Sequence, residues 1–223
     1  MLALKSTRLS QAGATQVDWG NPITRGMEGA CSNVQTSFNA ASQTFATLNS
    51  TRTDTVGGVG AGTIYTFDSY DSYTGIQNDL TRGSTIMVIA QVNGPTSTPA
   101  VMGPPISTSG INIKLSGVNL WRVAVFSGSQ INVFGPAAIP GKPQVVIGTC
   151  DNSNGRIYVD GVLGGTTAAG APTANPVDDF RVGRSAGSSA SENIIIYAWA
   201  TWARAISDAE ASSLGANPWQ LFR

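Results

Sequence analysis

After Gly62 apolar and polar positions alternate with a period of two or gather in short apolar runs, and no helical stripe interrupts them until the last twenty or so residues. Thr63-Ile-Tyr-Thr-Phe67 alternates β-formers, and Ser84 to Val92 is a β-rich run ended by Asn93-Gly94-Pro95, which predicts a central strand. Ile111 to Leu115 and Leu120 to Phe126 predict two further strands joined by Ser116-Gly117-Val118-Asn119, and Gln130 to Phe134 and Gln144 to Thr149 continue the series. Asn154-Gly155 and Asp160-Gly161 each offer the positive-φ pair that a two-residue hairpin requires, which leaves Arg156 to Val159 between them as a short strand. Phe180 to Gly183 and Glu192 to Trp202 predict the last strands; the second is almost continuously apolar, as a strand covered on both faces should be. Only the end predicts a helix: Ser207-Asp-Ala-Glu210 reads as a capping box, Ala209 to Leu214 as the body, Gly215 as the stop and Pro218 as the bar to resumption. From Ile23 to Val59 the chain is rich in Ser, Thr, Asn and Ala, with Val34, Phe38, Phe45 and Leu48 spaced too widely to assign strands.

Composition narrows this to one domain. A length of 223 residues suits a single large β-sandwich, and 12% charged residues with 26 Gly and 11 Pro fit short strands joined by tight turns. Residues 1–16 lack periodicity and are expected to form an arm, with residues 17–223 as the sandwich. The net charge is zero and the Arg residues are scattered singly from Arg8 to Arg223, so no basic stripe predicts a nucleic-acid partner. No run approaches the ~18 apolar residues of a membrane span, and Met1 to Arg8 breaks into charge before a signal-peptide core can form. The expectation is a protein made and kept in the cytoplasm unless something carries it out, with no membrane partner.

The chemistry-bearing residues are sparse. Without His the chain lacks the usual general base and the commonest zinc ligand. Glycoside cleavage needs a pair of carboxylates flanking the bond, and Glu28, Glu192 and Glu210 stand in no such spacing. Asp68 with Asp71, or Asp178 with Asp179, offer hard oxygen ligands for calcium, yet neither pair belongs to a ligand series and Asp serves turns equally well. Tyr65, Phe67, Tyr70 and Tyr73 would suit a sugar platform, but alternation places Tyr65 and Phe67 together on one face, as core requires. Asp160 before Gly161 is explained as a turn residue, and Trp219, Leu221 and Phe222 are expected to pack back on the sandwich rather than anchor a neighbour. Cys31 and Cys150 read as two buried thiols, with a disulfide as the alternative. No catalytic residue, metal or cofactor is expected.

Gly155-Arg-Ile-Tyr-Val-Asp-Gly161, Phe180-Arg-Val-Gly-Arg184 and Trp202-Ala-Arg-Ala-Ile-Ser-Asp-Ala-Glu210, in that order and spacing, resemble the closing half of laminin-G-like, pentraxin-like jelly rolls. Asp18-Trp-Gly-Asn-Pro-Ile-Thr-Arg-Gly26 and Asn217-Pro-Trp-Gln-Leu-Phe222 further resemble laminin-G-like proteins of tailed bacteriophages. The resemblance implies an all-β fold, a two-sheet antiparallel jelly-roll sandwich of the concanavalin-A/laminin-G kind with one short C-terminal helix. It also implies a non-catalytic phage virion structural protein, a capsid decoration (cement) protein repeated as a homo-oligomer on a lattice and bound to capsid or tail proteins. The alternative it leaves is a tail- or baseplate-associated carbohydrate-binding module for host-surface attachment. The sandwich hosts lectins, glycanases and structural modules alike, so fold alone does not choose.

Overall fold

The computed structural model describes residues 16–32, 38–42, 44–49, 52–57, 60–65, 69–94, 99–105, 108–117, 119–184 and 193–222. The segment 1–15, Asp68, Phe67 and Glu192 lie outside the described residues. One sheet contains β1 (Met27–Cys31), β5 (Arg52–Gly57), β6 (Gly60–Tyr65), β8 (Ser84–Val92), β13 (Pro143–Cys150), β14 (Asn154–Val159), β15 (Val162–Ala168) and β17 (Ile194–Trp202). Its order is β15-β14-β13-β8-β17-β6-β5, with β1 paired to the C-terminal half of β17. The other contains β4 (Thr47–Asn49), β7 (Tyr70–Tyr73), β9 (Ala100–Gly103), β10 (Ile111–Leu115), β11 (Leu120–Phe126), β12 (Gln130–Ala137) and β16 (Phe180–Val182), in the order β12-β11-β10-β9-β16-β7-β4. A small ribbon pairs β2 (Phe38–Asn39) with β3 (Thr44–Phe45), and helix α1 spans Asp208–Ala216. Every pairing is antiparallel, so the expected two-sheet jelly-roll class with one short helix is what folds.

Alternation explains where each strand sends its side chains. On β8 Ile86, Val88, Ala90 and Val92 face the interior between the sheets, meeting Ile111, Ile113, Leu115, Trp121, Val123 and Val125 from β10 and β11. The opposite set, Met87 and Ile89, joins Ile147, Tyr158, Tyr197 and Trp202 in a second core on the sheet's outer face. That second core is closed by Leu214 of α1, by Leu221 and Phe222, and by Val17 and Ile23 from the start of the described chain. β17 is buried at every position because it lies between these two cores, which is why its sequence is continuously apolar.

Two glycines correct the expected boundaries. Asn154-Gly155 is not a turn: it opens β14, and the chain reverses two residues earlier at Asn152, whose φ is 70°, with the Asp151 carboxylate accepting from the Ser153 and Asn154 amides. Gly155 is there because a Cβ would come within 3.0 Å of Val133 and 3.1 Å of Val125 on the opposite sheet. Gly215 does not end the helix, which runs to Ala216. It lies where α1 crosses the β14–β15 turn, and a Cβ would stand 2.1 Å from the Gly161 nitrogen. The Asp160-Gly161 turn has the positive φ expected, 52° and 80°, and the Ser207–Glu210 capping box is formed as read.

Candidate functional site

Among the described residues, the outer face of the seven-stranded sheet has no apolar cap comparable to α1. β10 and β11 turn their odd-numbered apolar residues inward, so Asn112 and Lys114 of β10 and Arg122 and Ala124 of β11 face out. The short connection between them sets a register in which Lys114 stands directly opposite Arg122, and Asn112 opposite Ala124. Like charges opposed across a ladder are unfavourable, and here burial makes them more so. Lys114 is only 5% exposed. Burial, helped by the neighbouring Arg122 charge, brings its ammonium down from 10.5 to about 8, and burial lowers the Arg122 guanidinium too.

Next to this pair Asn112 is 1% exposed, and neither its Nδ2 nor its Oδ1 has a hydrogen-bond partner; Arg122 Nε also lacks one. Buried amides are normally satisfied, so a fully orphaned one is an exception that needs a cause. Gly103 makes room for it: a Cβ there would sit 2.0 Å from Asn112 Oδ1, and its φ of 148° suits glycine. Ala100 and Ala124 keep the floor low on either side, and Phe134, exposed, stands across from Arg122 on β12. Farther along the same sheet Arg181 lies over the Tyr70 ring at 4.1 Å and pairs with Asp179 at 2.8 Å.

A second polar cluster sits at one end of the sandwich. Glu28 occupies the bulge where the β1–β17 register shifts, and its carboxylate accepts from the Gln77 amide at 3.0 Å. Burial, with the Asp79 charge adding to it against the Gln77 hydrogen bond, raises Glu28 from 4.5 to about 7. Gln77 itself is buried with φ 61°, and its side chain both accepts from the Ile111 amide and donates to the Ile111 carbonyl, pinning this loop to β10.

The residues singled out from sequence mostly prove structural. Asp71 faces the core and accepts from the Tyr65 hydroxyl at 2.8 Å. Asp178 accepts from Gly75 and Asn78, whereas Asp179 takes Ser72 and Arg181, so the two carboxylates serve different loops. Among the described residues no group of three or more His, Cys, Asp or Glu is placed to hold a metal. Tyr65 and Tyr73 are core, and only Tyr70 of the aromatic series lies on the outer face among the described residues. Asp160 is a turn residue that also accepts from the Val145 amide and pairs with Lys142 at 3.0 Å. Leu221 and Phe222 are buried, Trp219 packs against them, and Cys31 and Cys150 are both buried free thiols. Asn112, Lys114 and Arg122 escaped the sequence reading, although Ile-Asn-Ile-Lys-Leu already placed Asn112 and Lys114 on one face. Adding Arg122 requires the register of the next strand.

A family model described as the concanavalin A-like lectin/glucanases superfamily matches residues 68–212. The chain belongs to that superfamily. None of the curated proteins matches it. Among solved structures, this superfamily member is similar to domain 4 of AbnA, an extracellular GH43 arabinanase from Geobacillus stearothermophilus, solved in complex with arabinotriose. The TM-score is 0.67 at 12% identity, over 85% of this chain and 98% of that domain. It is also similar to the binding domain of Botulinum neurotoxin DC in complex with SialylT, with TM-score 0.62, 13% identity, and 86% and 52% of the two chains covered. Trypanosoma rangeli sialidase matches with TM-score 0.56 at 13% identity, over 81% of this chain and 30% of the enzyme. The chain therefore spans about half of the toxin binding domain and under a third of the sialidase. At these identities the likeness is one of fold, shared by binding domains and by enzymes.

Proposed function

We propose that this superfamily member is a non-catalytic binding module that works as a structural protein of a bacteriophage particle, as a capsid decoration protein repeated over the lattice of capsid proteins. The observation that carries the reading is that the two phage-like segments form one unit. Val17 pairs with Phe222, the Asp18 amide donates to the Leu221 carbonyl, and Asn21 Nδ2 donates to the Gln220 carbonyl. Glu28 and Glu210 have structural partners, Gln77 for one and Arg204 with the helix cap for the other, which supports a binding role over a hydrolytic one. For a lattice contact the closing edge of the sandwich is suited, because β12 and β15 run against each other there. Along it Phe134, Ile139, Val162 and Leu163 are left exposed, Val162 to 70%. Made in the host cytoplasm, such a module reaches the outside as part of the virion.

Quantitative mass spectrometry of purified particles tests this. A copy number comparable with the major capsid protein is expected, together with loss of particle association, but not of the folded state, in Val162→Asp/Leu163→Asp protein. A few copies per particle would exclude decoration. The polar outer face of the seven-stranded sheet favours a second reading, a carbohydrate-binding module for host-surface attachment at the tail or baseplate. Binding on a glycan array that survives chelator is its expected signature.

A further inference from the structure

We infer that Asn93 is a site of spontaneous covalent modification, at which the Gly94 amide nitrogen attacks the Asn93 side-chain carbonyl carbon and the side-chain amide becomes an acid. The chain holds two Asn-Gly pairs, Asn93-Gly94 and Asn154-Gly155, and the fold treats them differently. Attack requires the backbone between the two residues to rotate until the glycine nitrogen reaches Cγ, and a small residue after the asparagine lets it approach. Asn154 and Gly155 are held against that rotation inside β14, opposite Ala168 and Thr167 on one side and, for Gly155, opposite Cys150 on the other. Asn93 is exposed and stands one residue beyond the end of β8, whose last pair is Val92 with Ile194. Its own amide donates to the Asn193 carbonyl at 2.7 Å, whereas among the described residues no acceptor takes the Gly94 amide. Gln91 activates the target: its Nε2 donates to Asn93 Oδ1 at 2.6 Å, and its Oε1 accepts from the Tyr197 hydroxyl at 3.0 Å. A donor on Oδ1 draws electrons from Cγ and stabilises the oxyanion that forms as nitrogen adds. The Gly94 nitrogen gives its proton to hydroxide and bonds to Cγ, closing a succinimide ring, while the Asn93 side-chain nitrogen takes a proton from water and leaves as ammonia. Water then opens the ring at either carbonyl, leaving aspartate or isoaspartate at position 93 and adding one negative charge to a chain whose formal net charge is zero.

Incubation of the folded full chain in mildly alkaline buffer, followed by peptide mapping with mass spectrometry, measures the two pairs side by side. Asn93 is expected to convert about tenfold faster than Asn154, and the two at comparable rates in urea, where the ladder around Asn154 is gone. Gly94→Ala should slow the reaction in the folded chain by about tenfold. That variant should still fold, because the atom nearest the added Cβ, on Asn193, is 3.7 Å away. Gln91→Glu, which keeps an acceptor for the Tyr197 hydroxyl and removes the donor to Asn93, should slow the reaction as well. An Asn93 that stays intact in the folded chain, or an Asn154 that converts as fast, would overturn the inference. Conversion of Gly94→Ala protein at the wild-type rate would overturn attack by the Gly94 nitrogen, and an unchanged rate in Gln91→Glu protein would overturn the activation by Gln91.

Discussion

The outer face of the eight-stranded sheet presents Met87, Ile89, Ile147, Tyr197 and Trp202 to a cap made by α1 and the chain ends, whereas that of the seven-stranded sheet presents Asn112, Lys114 and Arg122. Both faces arise from the same alternation, so the difference lies in which residues occupy the outward positions. On the first, each outward side chain finds apolar neighbours and contributes to stability. On the second, the Asn112 side-chain amide and Arg122 Nε are buried without a hydrogen-bond partner. Stability spent at one place without local return is the usual mark of a site shaped for a ligand.

The largest effect that would break this contrast is removal of the cap. Deleting Ser207 to Phe222 takes away Leu214, Leu221 and Phe222, all buried. At roughly 1.5–3 kcal/mol for each large side chain, the loss rivals the ~5–15 kcal/mol net stability of a domain. The truncated protein is expected to be insoluble or to melt without cooperativity; a soluble product melting near the full-length temperature would make the cap an appendage. Next comes Gly215→Ala. Helix propensity alone predicts a gain of ~1 kcal/mol, but the Cβ would meet the Gly161 backbone, so a net loss of about 3 kcal/mol is expected, read as a lower melting temperature.

Glu28→Gln sharpens the pH side. Because the folded chain holds the Glu28 proton up to about 7, against an ordinary value of 4.5, the contribution of this group to stability is fully present below about 4.5. It is lost as pH rises toward 7, by up to about 3 kcal/mol. The Gln variant should therefore melt higher than wild type at pH 8 and equally at pH 4. Asp151 and Glu210, held low chiefly by hydrogen bonds that outweigh their burial, act in the opposite sense at acid pH and are untouched by the change. The smallest effect belongs to Cys31 and Cys150: replacing both by Ala should cost about 1 kcal/mol each and leave the fold unchanged under reducing or oxidising conditions.

What sequence revealed and what it hid follow from the range of the interactions involved. Ser84–Val92, Ile111–Leu115 and Leu120–Phe126 were legible to the residue because apolar runs bounded by turn formers are local signals. β9, Ala-Val-Met-Gly, and β15, Val-Leu-Gly-Gly-Thr-Thr-Ala, were not, since small residues and glycines are placed there by contacts with distant strands. Gly164 and Gly165 of β15, for instance, lie against the backbone of β12 at Gly135 and Phe134. Gly155 and Gly215 misled for the same reason: each answers a close approach from another element rather than a local turn. The site was hidden because Lys114 and Arg122 are unremarkable singly and meaningful only once they face each other.

The contrast between the faces is tested most directly by melting Trp202→Ala and Arg122→Ala side by side. Trp202 is fully buried under the cap with its indole donating to the Ile23 carbonyl at 2.8 Å, so its loss should cost ~3–5 kcal/mol and lower the melting temperature by about 10 °C. Arg122→Ala should leave the melting temperature within about 2 °C of wild type or raise it, because it relieves an opposed charge. An Arg122→Ala loss as large as that of Trp202→Ala would show that the outer face of the seven-stranded sheet is core, and would contradict its assignment as a binding face.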